Sequence, residues 1–234
     1  MSAPNYGPIP HPYRPIIGSV LYASLGTRPD AAYAINILAQ FNESPSEEHW
    51  AAAKRVLRYL KGTRDHGIIF RRHFDVKRGC VTIRVYSDAD WAGDKETRKS
   101  RSGYIVFING SPVSWFSKKQ TCHALSSCEA EIVAMMEAIK ECMWLRSFLS
   151  ELKIKFNDPI PLYVDNQAAM ALSLDPVNHS GSKHIDLRYK FILEAVAKKF
   201  VVPIYVATGA NIADIFTKSP IIEIFRRHVS KLVV

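Results

Sequence analysis

The spacing of apolar side chains gives the chain two textures. Between residues 16 and 41, apolar positions recur at Ile17, Val20, Leu21 and Leu25, then at Tyr33, Ile37, Leu38 and Phe41, the three- and four-residue steps of a helix. Gly26-Thr-Arg-Pro-Asp30 interrupts the rhythm, and Pro29 fits a helix start but not an interior, so two helices are predicted. A third is expected to begin with Ser44 as N-cap, Pro45 in the first helical position, and Glu47 and Glu48 at the positive helix end. It runs to about Leu60 with Trp50, Ala53, Val56, Leu57 and Leu60 on one stripe, and Gly62 stops it.

Past residue 75 the pattern becomes alternating and β-branched. Val81–Tyr86 reads as a strand ending near Asp88, and Gly103–Ile108 and Pro112–Ser117 read as two more, joined by a turn at Asn109-Gly110. A long helix is predicted from about Cys128 to Leu152, capped by Ser126 or Ser127. Then come a strand (Pro161–Val164), a helix (Asn166–Leu174), a helix (His184–Lys199), a strand (Phe200–Val206) and a short helix opened by Asn211. The order β-β-β-α-β-α-α-β-α describes an α/β fold. Its five-stranded mixed sheet has three antiparallel strands followed by parallel ones, with helices flanking it. The predicted organisation is a flexible N-terminus (1–12), a helical segment (13–75), the α/β domain (76–220) and a C-terminal tail (221–234).

Composition narrows the function classes. The 234 residues carry a formal net charge of +9 spread over both parts, which fits contact with a polyanion, nucleic acid being the default. A basic protein with no such partner remains the alternative on charge alone. No apolar run approaches the length of a membrane span, and Met1 to Pro15 lacks the apolar stretch of a secretory signal. Cys80, Cys122, Cys128 and Cys142 are irregularly spaced, which argues against a zinc site and for reduced thiols in the cytoplasm or nucleus.

Acidic residues sit at predicted element ends: Asp88 after the first strand, Glu129 and Glu131 at the start of the long helix, Asp165 after the fourth strand, and Asp214 in the last helix. If the first and fourth strands are neighbours, Asp88 and Asp165 leave the same sheet edge. Clustered carboxylates repel one another unless a cation offsets them, and an all-oxygen set suits Mg²⁺ or Mn²⁺. Two such ions about 4 Å apart can activate water and stabilise the leaving oxygen of a phosphodiester. An Asp after a strand is also an ordinary turn or cap residue, so spacing alone leaves both readings open.

Five runs resemble successive signatures of the RNase H domain of Ty1/copia-type retrotransposon Pol polyproteins. They are Tyr86-Ser-Asp-Ala-Asp-Trp-Ala-Gly-Asp94, Ala124-Leu-Ser-Ser-Cys-Glu-Ala-Glu131, Val164-Asp-Asn-Gln167, Lys183-His-Ile-Asp-Leu-Arg-Tyr189 and Ala213-Asp-Ile-Phe-Thr-Lys218. Upstream, Tyr13-Arg-Pro-Ile-Ile-Gly18, Gly26-Thr-Arg-Pro-Asp30 and the stretch from His49 to Gly62 resemble the segment that joins reverse transcriptase to RNase H in those polyproteins. The resemblance implies an RNase H-like fold and metal-dependent hydrolysis of the RNA strand of RNA–DNA hybrids. It implies two Mg²⁺ ions, with Mn²⁺ as a substitute, held by Asp88, Glu131, Asp165 and Asp214. Asp88 would bridge the ions, Glu131 and Asp165 would hold the one near the leaving group, and Asp214 the one near the attacking water. Glu131 is preferred to Glu129 because Glu131-Ile-Val-Ala134 fits the family helix, and residues two apart on a helix face different ways.

The implied partners are the hybrid and either a reverse-transcriptase polymerase domain or a second copy of the chain. No Tyr-x-Asp-Asp run occurs, so polymerase activity is not expected. The alternative is a catalytically inactive or domesticated remnant that binds nucleic acid or serves in assembly. Virus-like particles in the cytoplasm, or the nucleus, are the expected location.

For hybrid binding, Asn166 and Gln167 are read either as helix caps or as contacts to a 2′-hydroxyl. Lys95, Arg98, Lys99 and Arg101, with Lys118 and Lys119, form basic runs that are either a solvated hairpin or phosphate contacts. His184 is either a helix-start residue or a stand-in for the histidine that cellular RNases H carry in the loop after the last strand. The corresponding run here, Ala207-Thr-Gly-Ala210, has none. Trp91, Trp115 and Trp144 are expected in the core rather than as stacking platforms.

Overall fold

The computed structural model describes residues 10–70, 80–174 and 183–234. The chain divides into two compact units, Met1–Ile69 with Val229–Val234, and Phe70–His228.

The first unit contains helices α1 (Tyr13–Gly26), α2 (Ala32–Ala39) and α3 (Glu47–Gly62), with a 3₁₀ turn at Pro29–Ala31 where the apolar rhythm breaks. Their apolar stripes meet in a core of Tyr13, Ile17, Val20, Ile35, Leu38 and Ala53, flanked by Trp50, Val56, Leu57 and Leu60. Leu25 is exposed instead of joining it. The cap of α3 is Ser46 rather than Ser44. Ser46 Oγ accepts from His49 N at 3.3 Å and Ser46 N donates to His49 Nδ1 at 3.0 Å, so two helix-start N–H groups are satisfied reciprocally and Pro45 precedes the helix. The buried Arg28 guanidinium donates to Asp30 at 2.6 and 3.0 Å and to Thr63 Oγ1 at 2.6 Å, while Tyr59 OH donates to Asp30 Oδ2 at 2.6 Å. That network satisfies a charge pair that would be costly to bury alone.

The second unit holds β1 (Ile83–Asp90), β2 (Arg101–Ile108), β3 (Ser111–Lys119), α4 (Ser127–Glu151), β4 (Ile160–Val164), α5 (Gln167–Leu174), α6 (Lys183–Ala197) and β5 (Val201–Tyr205). The strands form one five-stranded sheet in the order β3-β2-β1-β4-β5. β1–β2 and β2–β3 are antiparallel; β1–β4 and β4–β5 are parallel. This is the mixed sheet expected of the RNase H-like fold. Asn109 and Gly110, at φ 51° and 79°, make the hairpin turn that the sequence predicts. Ile83 and Val85 of β1, Val106 of β2, Leu162 and Val164 of β4 and Val201 of β5 pack with Ile132, Met135, Ile139 and Cys142 of α4 and Ile192 of α6. Each such aliphatic side chain contributes about 1.5–3 kcal/mol when fully buried.

Several expectations change. β1 continues two residues beyond Asp88, because its pairing with β2 runs on to Asp90 opposite Arg101. Asp88 is therefore fixed by ladder bonds on a strand rather than placed at a strand end. The segment expected to be a tail contains α7 (Ile222–Val229), and Val229–Val234 groups with the first unit. Trp91 is 50% exposed, with its Nε1 donating to Ala124 O at 3.0 Å, and Trp144 is 58% exposed and stacked on Phe148. Neither is a core residue. Among the described residues all four cysteines are free, and no helix is long and apolar enough to cross a membrane.

Candidate active site

The parallel β1–β4 pair carries the site. Val85 and Tyr86 pair with Leu162 and Tyr163, so the two strands leave the sheet side by side and bring Asp88 and Asp165 to one edge. Ser126 caps α4 by accepting from Glu129 N at 3.1 Å, and this sets the rotation of the first turn. Glu129 turns back, its Oε2 accepting from Leu125 N at 2.7 Å. Glu131 points the other way and is buried, its Oε1 accepting from Ala89 N at 3.2 Å. Asp88, Glu131 and Asp165 each offer an oxygen within 4.8 Å of the others.

Asp214 reaches the site from a 3₁₀ segment, Ile212–Phe216, rather than the short α-helix expected after Asn211. It is not part of that three-oxygen group but is tied to it by a cation. Lys218 Nζ lies 2.9 Å from Asp214 Oδ1 and 3.7 Å from Asp88 Oδ2. Thr217 Oγ1 donates to Asp88 Oδ2. The segment is pinned by Asn211, which is fully buried: its Nδ2 donates to Ser87 O at 2.9 Å and its Oδ1 accepts from Ala213 N at 3.1 Å.

Gly103 explains how the segment can come so close. It pairs with Asp88 across the ladder, and a Cβ placed on it would lie 2.7 Å from Phe216 Cβ and 2.8 Å from Thr217 Cγ2. Any side chain here would lift Asp214, Thr217 and Lys218 off the sheet. Gly103→Ala is expected to cost about 1–3 kcal/mol, the range for overpacking. Urea titration would show this as a lower midpoint; an unchanged midpoint would mean that the segment yields freely.

Burial in the company of like charges sets the electrostatics. Asp88 is pushed up to about 7, first by burial and then by Asp214 and Asp165, against the opposing pull of Lys218 and Thr217. Glu131 is raised well above the usual carboxylate range by burial, with Asp88 and Asp165 adding to it. Asp214 is also raised, again mainly by burial. Burial alone would lower Lys218, but Asp88 and Asp214 outweigh it and hold the ammonium more strongly protonated than usual.

A divalent cation suits these residues on two counts. The donors are all carboxylate oxygens. In addition, Glu131 Oε2 is buried and has no hydrogen-bond partner, an arrangement that is costly unless something positive reaches it.

The structure brings together Asp88, Glu131 and Asp165 of the predicted set and links Asp214 through Lys218. The other predicted residues are more scattered. Asn166 acts as the cap of α5, its Oδ1 accepting from Ala169 N at 2.9 Å, while Gln167 is exposed. Lys95, Arg98 and Lys118 are exposed, and Lys99 is half-buried. Arg101 is not a solvated hairpin cation: it is a buried residue of β2 that donates to Ser117 Oγ at 3.3 Å. Lys119 pairs with Asp94 at 2.9 Å, so its charge is already met. His184 is the second residue of α6, but its side chain lies outside the described residues.

Sequence reasoning missed Gly103, Asn211, Thr217 and Lys218. The last two lie within the run Ala213–Lys218, and Lys218 stands four residues after Asp214, a spacing at which side chains meet on a helical turn.

Comparison with known proteins agrees with the motif runs. No family model matches the chain. The Pol polyprotein of transposon RE2 from Arabidopsis thaliana is 44% identical over 211 residues, 90% of this chain. That of transposon TNT 1-94 from Nicotiana tabacum is 41% identical over 88% of this chain. The chain belongs to the copia-type retrotransposon Pol polyproteins. It spans only 14% and 15% of the length of these two relatives. The secreted RxLR effector protein 161 of Plasmopara viticola is 48% identical over 57% of this chain and 91% of its own length. Among solved structures, RNase H1 of Halobacterium salinarum is similar at 13% identity, covering 58% of this chain and 94% of that one, with a TM-score of 0.43.

Proposed function

We propose that this Pol segment is a divalent-metal-dependent RNase H that hydrolyses the RNA strand of RNA–DNA hybrids. The observation that carries the reading is the convergence of Asp88, Glu131 and Asp165, each offering an oxygen within 4.8 Å of the others, together with a buried Glu131 oxygen that has no hydrogen-bond partner. Ionised carboxylates gathered in this way repel one another, and a bound cation offsets that repulsion. Asp88, Glu131 and Asp165 would hold the ion, with Asp214 beside them. Mg²⁺ or Mn²⁺ bound there would neutralise the cluster, polarise a phosphodiester oxygen and lower the pKa of an attacking water.

The chain's own residues do the rest. Strand β1 holds Asp88 within its ladder, and Asp165 follows the last residue of β4 directly, so the two carboxylates need little reorganisation. The bond that Ala89 N donates to Glu131 Oε1 fixes that carboxylate against β1. Thr217, donating to Asp88, and Lys218, between Asp88 and Asp214, limit the repulsion on that side. The exposed Lys95, Arg98 and Lys118 would meet phosphates, and Gln167 a base edge or a 2′-hydroxyl.

The test is a labelled RNA–DNA hybrid incubated with the 234-residue chain in Mg²⁺, in Mn²⁺ and in excess chelator. Metal-dependent loss of the RNA strand, with the DNA strand intact, supports the proposal. Hybrid binding without cleavage under every metal condition would instead make this copy a binding remnant. Replacing Lys95, Arg98 and Lys118 with Ala should lower the slope of log binding constant against log salt by roughly 0.7–0.9 for each phosphate these side chains neutralise. An unchanged slope, measured by anisotropy over a salt series, would remove those side chains from the interface.

A further inference from the structure

We propose that Lys218 is a built-in cation of the site, filling the position between Asp88 and Asp214 so that the carboxylates hold one divalent ion tightly and admit a second only when the ammonium leaves. The inference rests on the metal-dependent reading above.

The geometry divides the acidic side chains into two groups. Asp88, Glu131 and Asp165 offer oxygens within 4.8 Å of one another, and Oε2 of the 5% exposed Glu131 has no hydrogen-bond partner. That group is short of positive charge. Asp214 Oδ1 and Asp88 Oδ2, by contrast, already face Lys218 Nζ, at 2.9 and 3.7 Å. Thr217 adds a hydroxyl to the same Asp88 oxygen. A single ammonium thus offsets the two carboxylates that a second ion would need to share.

The placement of Lys218 is fixed by the fold. Asn211 bonds Ser87 on β1 and Gly103 leaves the space in which the segment settles, so Thr217 and Lys218 follow Asp214 directly onto the cluster. Lys218 is only half-buried, which gives the side chain a way out to solvent. An ammonium and a divalent ion cannot share one pair of carboxylates without strong repulsion at separations of about 3–4 Å. Occupancy of the Asp88–Asp214 side is therefore a competition between Lys218 and the second ion. Lys218 acts as a positioning residue, through the carboxylates.

Mn²⁺ binding to the full chain tests this without measuring cleavage. Free Mn²⁺ is followed by its paramagnetic resonance signal during titration of the wild type, Lys218→Met and Lys218→Arg, with circular dichroism as a check on folding. The wild type should take up one ion tightly and a second at least about tenfold more weakly. Lys218→Met, which keeps the aliphatic stem, should take up two with closer affinities, and Lys218→Arg should return to the wild-type pattern.

Two equally tight ions in the wild type would overturn the role of Lys218 while leaving the metal-dependent reading in place, and this outcome is readable even if the Met variant does not fold. Identical titrations of the wild type and Lys218→Met would do the same. No Mn²⁺ uptake by any of the three proteins would overturn both.

Discussion

Asp88→Asn is expected to reduce hybrid cleavage by about a thousandfold or more while making the metal-free protein more stable near pH 8. The first effect follows from the central position of this carboxylate, which is grouped with Glu131 and Asp165 and also faces Lys218 and Thr217. An amide keeps the shape and can still accept from Thr217, but it removes the charge that would hold a cation. Losing several kcal/mol of charge stabilisation in a phosphodiester transition state corresponds to about three decades in rate. The second effect runs the other way. Ionised Asp88 is buried among like charges, and Asn imitates its protonated form. The expected gain in unfolding free energy is on the order of 2 kcal/mol at pH 8 in chelator, where a pKa of about 7 leaves the wild-type group mostly ionised. Cleavage rates and urea titrations on the same preparation check both halves. Cleavage within about tenfold of wild type would remove Asp88 from the chemistry, and a fall in stability would show that the carboxylate is a structural hydrogen-bond partner.

A pH and metal dependence of comparable size is expected for the wild type. Asp88 rises from an ordinary 3.8 to about 7 in the folded chain. The folded state therefore binds more protons than the unfolded chain between those values. The stability this group contributes is complete below about pH 4 and is lost as pH rises through about 7. Glu131 is raised as well and adds to the same slope. A shift of about three units corresponds to about 4 kcal/mol as an upper figure, and relaxation around the site brings the expected loss to on the order of 2–4 kcal/mol.

Added Mg²⁺ or Mn²⁺ should reverse that loss above pH 7, because a ligand of the folded state alone contributes about 2.7 kcal/mol at a hundredfold excess over its Kd. At pH 5, with Asp88 largely protonated, the same addition should do much less. Denaturant midpoints at three pH values, with metal and with chelator, provide the measurement. A flat profile in chelator, or equal metal stabilisation at pH 5 and pH 8, would contradict the proposed electrostatics. Glu131→Gln should reduce both the slope and the metal response, whereas Glu129→Gln should change neither, since Glu129 is engaged with Leu125 N at the helix start.

Much of this was legible along the chain because it depends on one element at a time. Helical and strand periods are set by the direction in which successive side chains leave a single backbone. The three helices, the β1–β2–β3 meander, α4 and the Asn109-Gly110 turn follow from that alone. The motif runs also placed Asp88, Glu131, Asp165 and Asp214 in order along the chain. The cap of α3 was misplaced by two residues, because several Ser residues near a helix start are locally equivalent until one exchanges bonds with His49.

What only the tertiary structure decided is which groups share a volume. The adjacency of β1 and β4 comes from strand order, not local pattern, and it brings Asp165 to Asp88. The rotation of α4 against β1 separates Glu131 from Glu129. Closure of the Ile212–Phe216 segment over Gly103 places the Lys218 charge between two carboxylates. The same long-range packing buries Arg101, pairs Lys119 with Asp94 and leaves Trp91 at the surface. The physical reason is that burial and electrostatics depend on distances between segments far apart in the chain, and no window of sequence contains those distances.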